Sequence, residues 1–506
     1  MKSIKRIISV LLVCLLMLSY SAIFATAYDD ALPNKYNAAE LRYVTSTKSQ
    51  GQGGYCWAFA TISALESDAI VQGFENADSV DFSEAHLIWS ASTRSQTEGD
   101  LNCDEYVCFD SDGSSLECAA TTLFRGCGIN NEADFPYRGV SIDRFPQYDE
   151  KYRFANNGYS IKECKSSTKV SRAKEWILEH GSVVGGVYLS AGEPQKVSGV
   201  VTVSSTSKAI NHMVAIVGWD DSFPKSYFGY EPQNNGAWLC KNSWGTDWGD
   251  SGYFWMPYES SFPQTYYSFS VQKTDFSNVY TYNAVPCFCY ANCKGNSEAC
   301  NIYKIVSEEE LKRITVYICS YDQTVNIRLI ELADNYSSPD DGTTLLQTEL
   351  YAEDKGYYSI DAHNITLLPS HMYAAVMSLE GEKTRFPIEN SGYPEYVVSS
   401  EPWQTFYYYN DEWNASDFGN TYINLYTTTV GPVIDEHGEK FIDKGGETIA
   451  PDGEVNAVSV NTDEEENYEL FVNTETHEED KGFLETIIYL FSRIIRILRS
   501  LLFFES

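Results

Sequence analysis

The stretch QGQGGYCWAFATISALESDAIVQG, residues 50–73, decides the fold of the first half of the chain. After Cys56 its apolar residues recur at helical spacing, and Gly73 ends the pattern as glycine commonly ends a helix. The sequence therefore predicts a helix that begins at Cys56. Because a helix N-terminus stabilises nearby negative charge, the Cys56 thiol is placed where it can become a nucleophilic thiolate.

Short β-rich runs follow this helix and are separated by Gly, Asn and Ser. They are VVGGVYL (183–189), HMVAIVGW (212–219) and AWLCKNSW (237–244). Helical patterns mixed with such runs predict an α+β domain over residues 28–272.

A nucleophilic cysteine needs an imidazole beside it, since a thiol with a pKa of about 8.5 is only slightly ionised at neutral pH. His86 lies in an amphipathic helical pattern, and His180 precedes Gly181 at a predicted helix C-terminus. His212 instead leads a buried-looking strand. From the pattern alone it is either a satisfied core histidine or the partner of Cys56.

Several blocks of the sequence settle that choice by resemblance. QGQGGYCWAFA (50–60), INHMVAIVGWD (210–220) and WLCKNSWGTDWGDSGYFWM (238–256) are similar to the cysteine, histidine and asparagine segments of papain-family peptidases. GINNEADFPY (128–137) resembles a further family stretch, and residues 32–50 resemble the start of the mature family domain. The resemblance implies a two-lobed papain-like fold and a cysteine endopeptidase that acts on proteins or peptides.

The resemblance also implies a role for each matching residue. Cys56 would attack the scissile carbonyl, and His212 would hold the ion pair and later protonate the leaving amine. Asn242 would orient the imidazole. Gln50 would donate to the oxyanion beside the Cys56 backbone N–H, and losing such a donor typically costs about 10²–10³ in turnover.

Three further residues belong to the implied site. Trp244 would shield the histidine–asparagine hydrogen bond from water. Trp248 is either a wall of the site or part of the core, and Gly54 is a candidate for substrate contact. No cofactor and no metal ion is expected.

The sequence departs from the family pattern around the substrate cleft. Gly53 stands where relatives usually carry a cysteine, and Asp112 stands near the position of its partner, so that disulfide is predicted to be absent. Ser114 and Ser115 replace a Gly-Gly pair of the cleft. Substrate preference therefore stays open.

The mature-like start also follows the predicted signal peptide directly, so restraint by a propeptide is not expected.

The N-terminus and the charge indicate where the protein works. Lys2, Lys5 and Arg6 precede an apolar stretch and an Ala-Thr-Ala site at 25–27, which predicts a secretory signal peptide over residues 1–27. Secretion permits disulfides among the thirteen cysteines.

The formal charge of −35 argues against nucleic-acid binding, because phosphate contacts need a basic face.

Alternating strand-like runs over residues 276–430 predict a β-sandwich. The region resembles the lectin-like domain of secreted bacterial peptidases, which implies binding of cell-surface glycan; a packing or spacer domain is the alternative. The domain boundary is expected at residues 271–278, with few contacts across it.

A cluster of four cysteines near the start of this region lacks the paired spacing of zinc ligands. Its members, Cys287, Cys289, Cys293 and Cys300, are expected to be disulfides or free thiols.

Two rival functions remain open for the whole chain. One is a catalytically silent adhesin that binds carbohydrate through its β domain. The other is a cell-wall peptide amidase, although there the histidine follows the cysteine within a shorter span. Hydrolysis of a peptidyl fluorogenic substrate, blocked by an epoxide-type thiol inhibitor, discriminates between all three functions.

The C-terminal part is predicted to contain an acidic linker, residues 431–480, and an amphipathic helix, residues 481–506. Within residues 483–504, Arg493, Arg496 and Arg499 recur at helical spacing among Ile, Leu and Phe. Such a helix either lies on an anionic membrane surface or packs on protein.

Liposome flotation separates these two alternatives for residues 483–504. If the helix binds membrane, the full-length protein should float with anionic vesicles, because its arginines attract the headgroups and its apolar side chains enter the bilayer surface. A protein ending at Asp480 should stay at the bottom of the gradient. Sedimentation of both proteins would contradict the membrane interpretation.

Overall fold

The computed structural model describes most of residues 32–430. The described residues are 32–92, 114–139, 158–189, 194–205, 209–230, 232–260, 265–283, 287, 289–293, 297–381, 384–389, 403–409, 411–416 and 419–430. The predicted signal peptide, acidic linker and C-terminal helix lie outside the described residues, as does Asp112. None of the described helices is long and apolar enough to cross a membrane.

The first domain combines four α-helices with nine strands. The helices are α1 (Cys56–Val71), α2 (Glu84–Ser92), α3 (Leu116–Thr122) and α4 (Val170–His180), with a π-helical turn at Leu123–Cys127 and a 3₁₀ turn at Lys225–Tyr227. The strands are β1 (Lys35–Asn37), β2 (Tyr159–Ser167), β3 (Val183–Val187), β4 (Gln195–Val197), β5 (Val200–Thr202), β6 (His212–Asp220), β7 (Ala237–Lys241), β8 (Tyr253–Pro257) and β9 (Tyr266–Lys273). This α+β arrangement agrees with the sequence prediction.

Helix α1 begins at Cys56, as predicted, and is buried on all sides up to Ala69. It is therefore a core helix. It carries two acidic residues into the interior, and each has a cationic partner. Lys48 Nζ lies 2.9 Å from a carboxylate oxygen of Glu66, and His180 Nδ1 lies 2.7 Å from Asp68.

Two large hydrophobic cores and two smaller clusters lie in the described part of this domain, and the two large cores position the site. One surrounds α1, α2 and α3, with Trp57, Phe82 and Phe124 among its members. The other lies under the strands β3, β6, β7 and β8 and contains Trp219 and Trp238. Cys56 starts the central helix of the first core and His212 starts a strand of the second, so the candidate site lies where the two cores meet.

The second domain is built entirely from strands in its described part. They are β10 (Asn278–Tyr280), β11 (Cys289–Cys293), β12 (Ser297–Lys304), β13 (Glu309–Ile318), β14 (Gln323–Leu332), β15 (Gly342–Ala352), β16 (Lys355–Asp361), β17 (Thr366–Leu367), β18 (Met372–Leu379), β19 (Thr384–Ile388), β20 (Thr405–Tyr409), β21 (Glu412–Ala415) and β22 (Ile423–Thr429).

Two layers of strands enclose the core of this domain. A six-stranded sheet has the order β15-β14-β18-β12-β20-β21. Side chains of β14 and β18 share a core with those of β13 and β22 in the other sheet, for example Ile327 with Ile314 and Leu425. The alternation of buried and exposed residues along β13 and β14 is what the sequence pattern indicated.

The cysteines of the predicted cluster are partly described. Cys300 is a fully buried thiol that forms no disulfide. The side chains of Cys289 and Cys293 lie outside the described residues. Among the residues that the structure describes, no group of three or more His, Cys, Asp or Glu side chains is placed to hold a metal ion.

The expectation of few contacts between the domains is wrong. Strand β16 of the second domain pairs with β2 of the first, in the register Lys355↔Ser166 and Tyr357↔Cys164. A single sheet of fourteen strands therefore runs through both domains. Local periodicity does not encode strand partners that are distant in the chain, so this pairing could not be predicted from the sequence.

Side chains reinforce the shared sheet. The rings of Phe124 and Tyr357 stack with centroids 4.1 Å apart. Arg172 Nε donates to Asp354 at 2.7 Å from the other side of the boundary. Tyr357 and Tyr422 of the second domain belong to the hydrophobic core around α1. The second domain thus completes the core of the first.

Gly356 makes the strand pairing across the boundary possible. Its φ is +136°, and a Cβ at this position would lie 2.1 Å from the backbone oxygen of Cys164. Gly356→Ala should therefore cost on the order of 3 kcal/mol of the free energy of unfolding, measured by the urea midpoint. Gly199, with φ +85° and open space around its Cα, is the matched control, and Gly199→Ala should cost only about 1–2 kcal/mol. Equal losses would contradict the steric role of Gly356.

Candidate active site

Three chain segments bring the predicted catalytic residues together. Cys56 is the first residue of α1, His212 is the first residue of β6, and Asn242 directly follows β7. Strands β6 and β7 are antiparallel neighbours with Ala215 opposite Lys241. This register places His212 and Asn242 at the same end of the strand pair.

The imidazole of His212 is held by the amide of Asn242. His212 Nε2 lies 2.7 Å from Asn242 Oδ1, which also accepts the backbone N–H of Ser243 at 2.8 Å. Since a carbonyl oxygen can only accept, Nε2 carries the proton and Nδ1 is the nitrogen left for chemistry. At the other end of the amide, Asn242 Nδ2 is buried and has no hydrogen-bond partner in the structure.

Trp244 covers this hydrogen bond. Its ring centroid lies 4.8 Å from that of His212, and Trp248 packs on it nearly perpendicularly at 5.2 Å. Trp248 in turn packs against Phe254 at 5.5 Å, so it is part of the strand-side packing. That Trp248 also forms a wall for substrate stays a prediction.

The thiol of Cys56 is buried and lies beside the histidine strand. The backbone N–H groups of Met213, the residue after His212, and of Cys56 and Trp57 at the helix start lie beside the sulfur and favour its thiolate. The N-cap residue Tyr55 makes no side-chain hydrogen bond to this helix start. Burial raises the pKa of the Cys56 thiol, and the three backbone hydrogen bonds oppose that rise.

The electrostatics of His212 mirror those of Cys56. Burial lowers the pKa of His212 to about 4, and the hydrogen bond to Asn242 opposes the shift. Burial therefore disfavours a charge on either group alone. A thiolate and an imidazolium side by side would compensate each other. That the two groups gain and lose charge as a pair stays a prediction.

The side-chain amide of Gln50 makes two hydrogen bonds that hold it in place. Its Oε1 accepts the Ser243 hydroxyl at 2.5 Å, and its Nε2 donates to Gly53 O at 2.6 Å. Its backbone N–H donates to Ser243 O at 2.8 Å. Gln50 and Asn242 are thus tied to the same short segment. One of the two N–H groups on Nε2 remains beyond the bond to Gly53.

The residues at the departures from the family pattern have local roles. Ser115 accepts the Cys118 N–H at 3.2 Å and so caps the N-terminus of α3. Gly53 is the acceptor for Gln50, and Gly54 is half-buried just before the helix. Substrate contact by Gly54 stays a prediction.

The other two histidines of this domain lie in other surroundings. His180 pairs with Asp68 at the C-terminal end of α4, and this carboxylate raises the pKa of His180 although burial opposes it. His86 lies on α2 with its ring 5.4 Å from that of Phe135. Of the three candidates, His212 is the one whose chain neighbour, Met213, has its backbone N–H beside the Cys56 sulfur. That His212 is the partner of Cys56 stays a prediction.

Sequence reasoning missed a group of buried charges behind the site. Lys48, Glu66, Glu84 and Lys241 line a cavity of about 20 Å³ that Asn242 also lines. A signal for it was present, because Lys241 directly precedes Asn242, Lys48 lies two residues before Gln50, and Glu66 interrupts an otherwise uncharged helix face.

Comparisons with known proteins agree with this architecture. Residues 32–274 match the papain family of cysteine proteases, and residues 272–425 match the lectin-like domain family. The chain is 29% identical over 238 residues to a viral cathepsin of Choristoneura fumiferana defective polyhedrosis virus. It is 27% identical over 228 residues to the cysteine endopeptidase RepA of Oryza sativa. These matches cover 44% and 45% of the chain, and only 59% and 53% of the relatives' own lengths.

Solved structures extend the likeness to both domains. The clostridial cysteine protease Cwp84 after propeptide cleavage is similar over 78% of this chain and 99% of its own, with a TM-score of 0.67 and 24% identity. A structure of the protease and lectin-like domains of Cwp84, a surface layer associated protein of Clostridium difficile, covers 79% of this chain and 89% of its own, with a TM-score of 0.65 and 23% identity. At this identity the likeness is one of fold. Residues 32–274 therefore form a domain of the papain family of cysteine proteases, and a lectin-like domain follows it at residues 272–425.

Proposed function

We propose that this protein is a secreted cysteine endopeptidase in which Cys56 is the nucleophile and His212 its acid–base partner. The observation that carries the proposal is the bond from His212 Nε2 to Asn242 Oδ1 at 2.7 Å, which leaves Nδ1 for a thiol at the start of α1. A helix N-terminus and an oriented imidazole are the two features that activate a cysteine.

The reaction follows from the roles of these groups. The Cys56 thiolate attacks the carbonyl carbon of the scissile bond, and the oxyanion is met by the Cys56 backbone N–H and the remaining N–H of Gln50 Nε2. The His212 imidazolium gives its proton to the leaving amine as the tetrahedral intermediate collapses to a thioester. Water, deprotonated by His212, then hydrolyses the thioester and restores the thiol.

Burial of the pair shapes this chemistry. Because Trp244 and the two cores exclude water, the oxyanion donors act in a medium of low dielectric constant, where their effect is larger than in water. The same burial makes an unpaired charge costly. The active form is then the thiolate–imidazolium pair between two apparent pKa values, and kcat/KM should be bell-shaped in pH.

Peptides and proteins are the proposed substrates, outside the cell. The relative Cwp84 is described as surface layer associated, and the predicted signal peptide supports export of this chain. For residues 276–430, binding of cell-surface glycan is supported by the lectin-like match and by an aromatic pair at one sheet edge. There Trp413 packs on Tyr408 at 5.5 Å, and its indole N–H donates to Asp340. A catalytically silent adhesin, the alternative function, would have the same aromatic sheet edge but would not hydrolyse peptides.

Removing the sulfur of Cys56 tests the central proposal. Cys56→Ala should abolish hydrolysis of a fluorogenic peptide, since the variant has no nucleophile, while the thermal unfolding midpoint stays close to that of wild type. An epoxide-type thiol inhibitor should add its mass to the wild type and not to the variant. Cys319→Ala, which removes a buried thiol of the second domain, is the control and should keep activity. Hydrolysis by Cys56→Ala at the wild-type rate would refute the proposal.

The orienting role of Asn242 is tested by pH dependence. Its acceptor favours the imidazolium, so Asn242→Ala should lower the pKa of His212 further and move the alkaline limb of kcat/KM to lower pH. Because a hydrogen bond to a charged group contributes about 1.5–3 kcal/mol, kcat should fall about 10- to 150-fold. Asn211, whose side chain bonds the backbone of Leu189, is the neighbouring control. An alkaline limb that stays in place in Asn242→Ala would contradict the role.

A further inference from the structure

The buried charges behind the site are linked into one network. Glu66 is its centre: Oε1 accepts from Lys48 Nζ and from the Phe82 N–H, both at 2.9 Å. Oε2 accepts the Thr45 hydroxyl at 2.6 Å. Glu66 is fully buried on the helix that Cys56 begins, so the network is anchored on the nucleophile's own element.

Lys48 links this centre to the segment of Gln50. Besides Glu66, its ammonium lies 2.9 Å from Glu84 and 2.7 Å from Asp81. Its backbone oxygen accepts the Gly245 N–H at 3.0 Å, next to the bond from Gln50 N to Ser243 O. The ion pairs of Lys48 therefore hold residues 48–50 and 243–245 against the helix.

Lys241 links the same centre to the segment of Asn242. Its ammonium is buried and donates to Thr45 Oγ1 at 3.0 Å and Ser63 Oγ at 3.1 Å. The Thr45 hydroxyl in turn donates a hydrogen bond to Glu66 Oε2. In the described part of the chain, the ammonium of Lys241 has two neutral acceptors and no carboxylate in direct contact. A buried ammonium in such a place costs stability, and packing alone would be served equally well by an apolar residue.

We propose that Lys241 is a positioning residue of the active site, which fixes the end of β7 so that Asn242 Oδ1 stays within hydrogen-bond distance of His212. The inference rests on the proposed peptidase function and adds a residue to it. Among the described residues Asn242 Nδ2 has no hydrogen-bond partner, so only the contacts of Oδ1 hold the amide and its place depends on the end of β7.

The charged groups that face Lys241 come from every neighbouring segment. They are Glu66 of α1, Lys48 of the N-terminal segment and Glu84 of α2. Burial lowers the pKa of Lys241 to about 8, opposed by Glu66, and burial raises the pKa of Glu84 to about 8, opposed by Lys48. A positioning effect and a charge effect of Lys241 on His212 have opposite signs, and this makes them separable.

Lys241→Met tests the inference, since it keeps the length of the side chain and removes the ammonium. A loosened Asn242 no longer favours the imidazolium, so the alkaline limb of kcat/KM should move to lower pH and kcat should fall about tenfold, with KM unchanged. Loss of a nearby positive charge alone would raise the pKa of His212 and move that limb to higher pH. A shift to higher pH, or no shift, would overturn the proposal.

A double-mutant cycle shows whether Lys241 acts through Asn242. If it does, Lys241→Met should change kcat little in a protein that already carries Asn242→Ala; additive losses would overturn the proposal. Lys174→Met is the matched control: Lys174 is also buried and pairs with Asp221 at 2.6 Å, but it lies on α4. It should leave both pH limbs in place.

Two further measurements keep the outcome clear. Ser63→Ala removes one of the two acceptors of Lys241 and should shift the alkaline limb in the same direction by less, which serves if Lys241→Met does not fold. The rate at which a haloacetamide alkylates Cys56 against pH, with Cys56→Ala as the blank, reports the ion pair without turnover. Wild type that alkylates but does not cleave peptides would refute the proposed function, whereas an unmoved alkylation profile in Lys241→Met would refute this inference alone.

Discussion

The hydrogen bond between His212 Nε2 and Asn242 Oδ1 is the interaction on which the rest of the site depends. It fixes the tautomer of the imidazole and so decides which nitrogen faces the thiol. To form it, two neighbouring strands must end at the same level, and a helix must begin opposite them. The antiparallel register of β6 and β7 meets the first requirement, and the start of α1 at Cys56 meets the second.

Burial strengthens the hydrogen bond between His212 and Asn242, and burial also raises the free-energy cost of a charge in the site. Trp244 packs on the imidazole and Trp248 packs on Trp244, while burial lowers the pKa of His212 and raises that of Cys56. A charge on either group alone is therefore disfavoured. Backbone N–H groups at the helix start oppose this effect at the sulfur.

The cost of removing charge from water also applies to the charged side chains behind the site. Glu66 and Lys241 are buried and Lys48 is partly buried, and each charge is stabilised by contacts with another member of the group or with a hydroxyl. Farther away, the second domain supplies Tyr357 and Tyr422 to the core around α1 and extends the sheet through β2. The helix that carries the nucleophile is therefore supported by residues about 300 positions later in the chain.

The sequence by itself determined the helix that begins at Cys56 and the strands at His212 and before Asn242, because helical and strand periodicities are local properties. Resemblance to a family then singled out His212 from three histidines, a choice that local patterns left open. What only the tertiary structure decided is long-range: the pairing of β16 with β2, which overturned the expectation of two nearly independent domains, and the network of Lys48, Glu66 and Lys241. Both depend on which backbone edges and buried charges meet after folding, and chain-distant partners leave no periodic trace in the sequence.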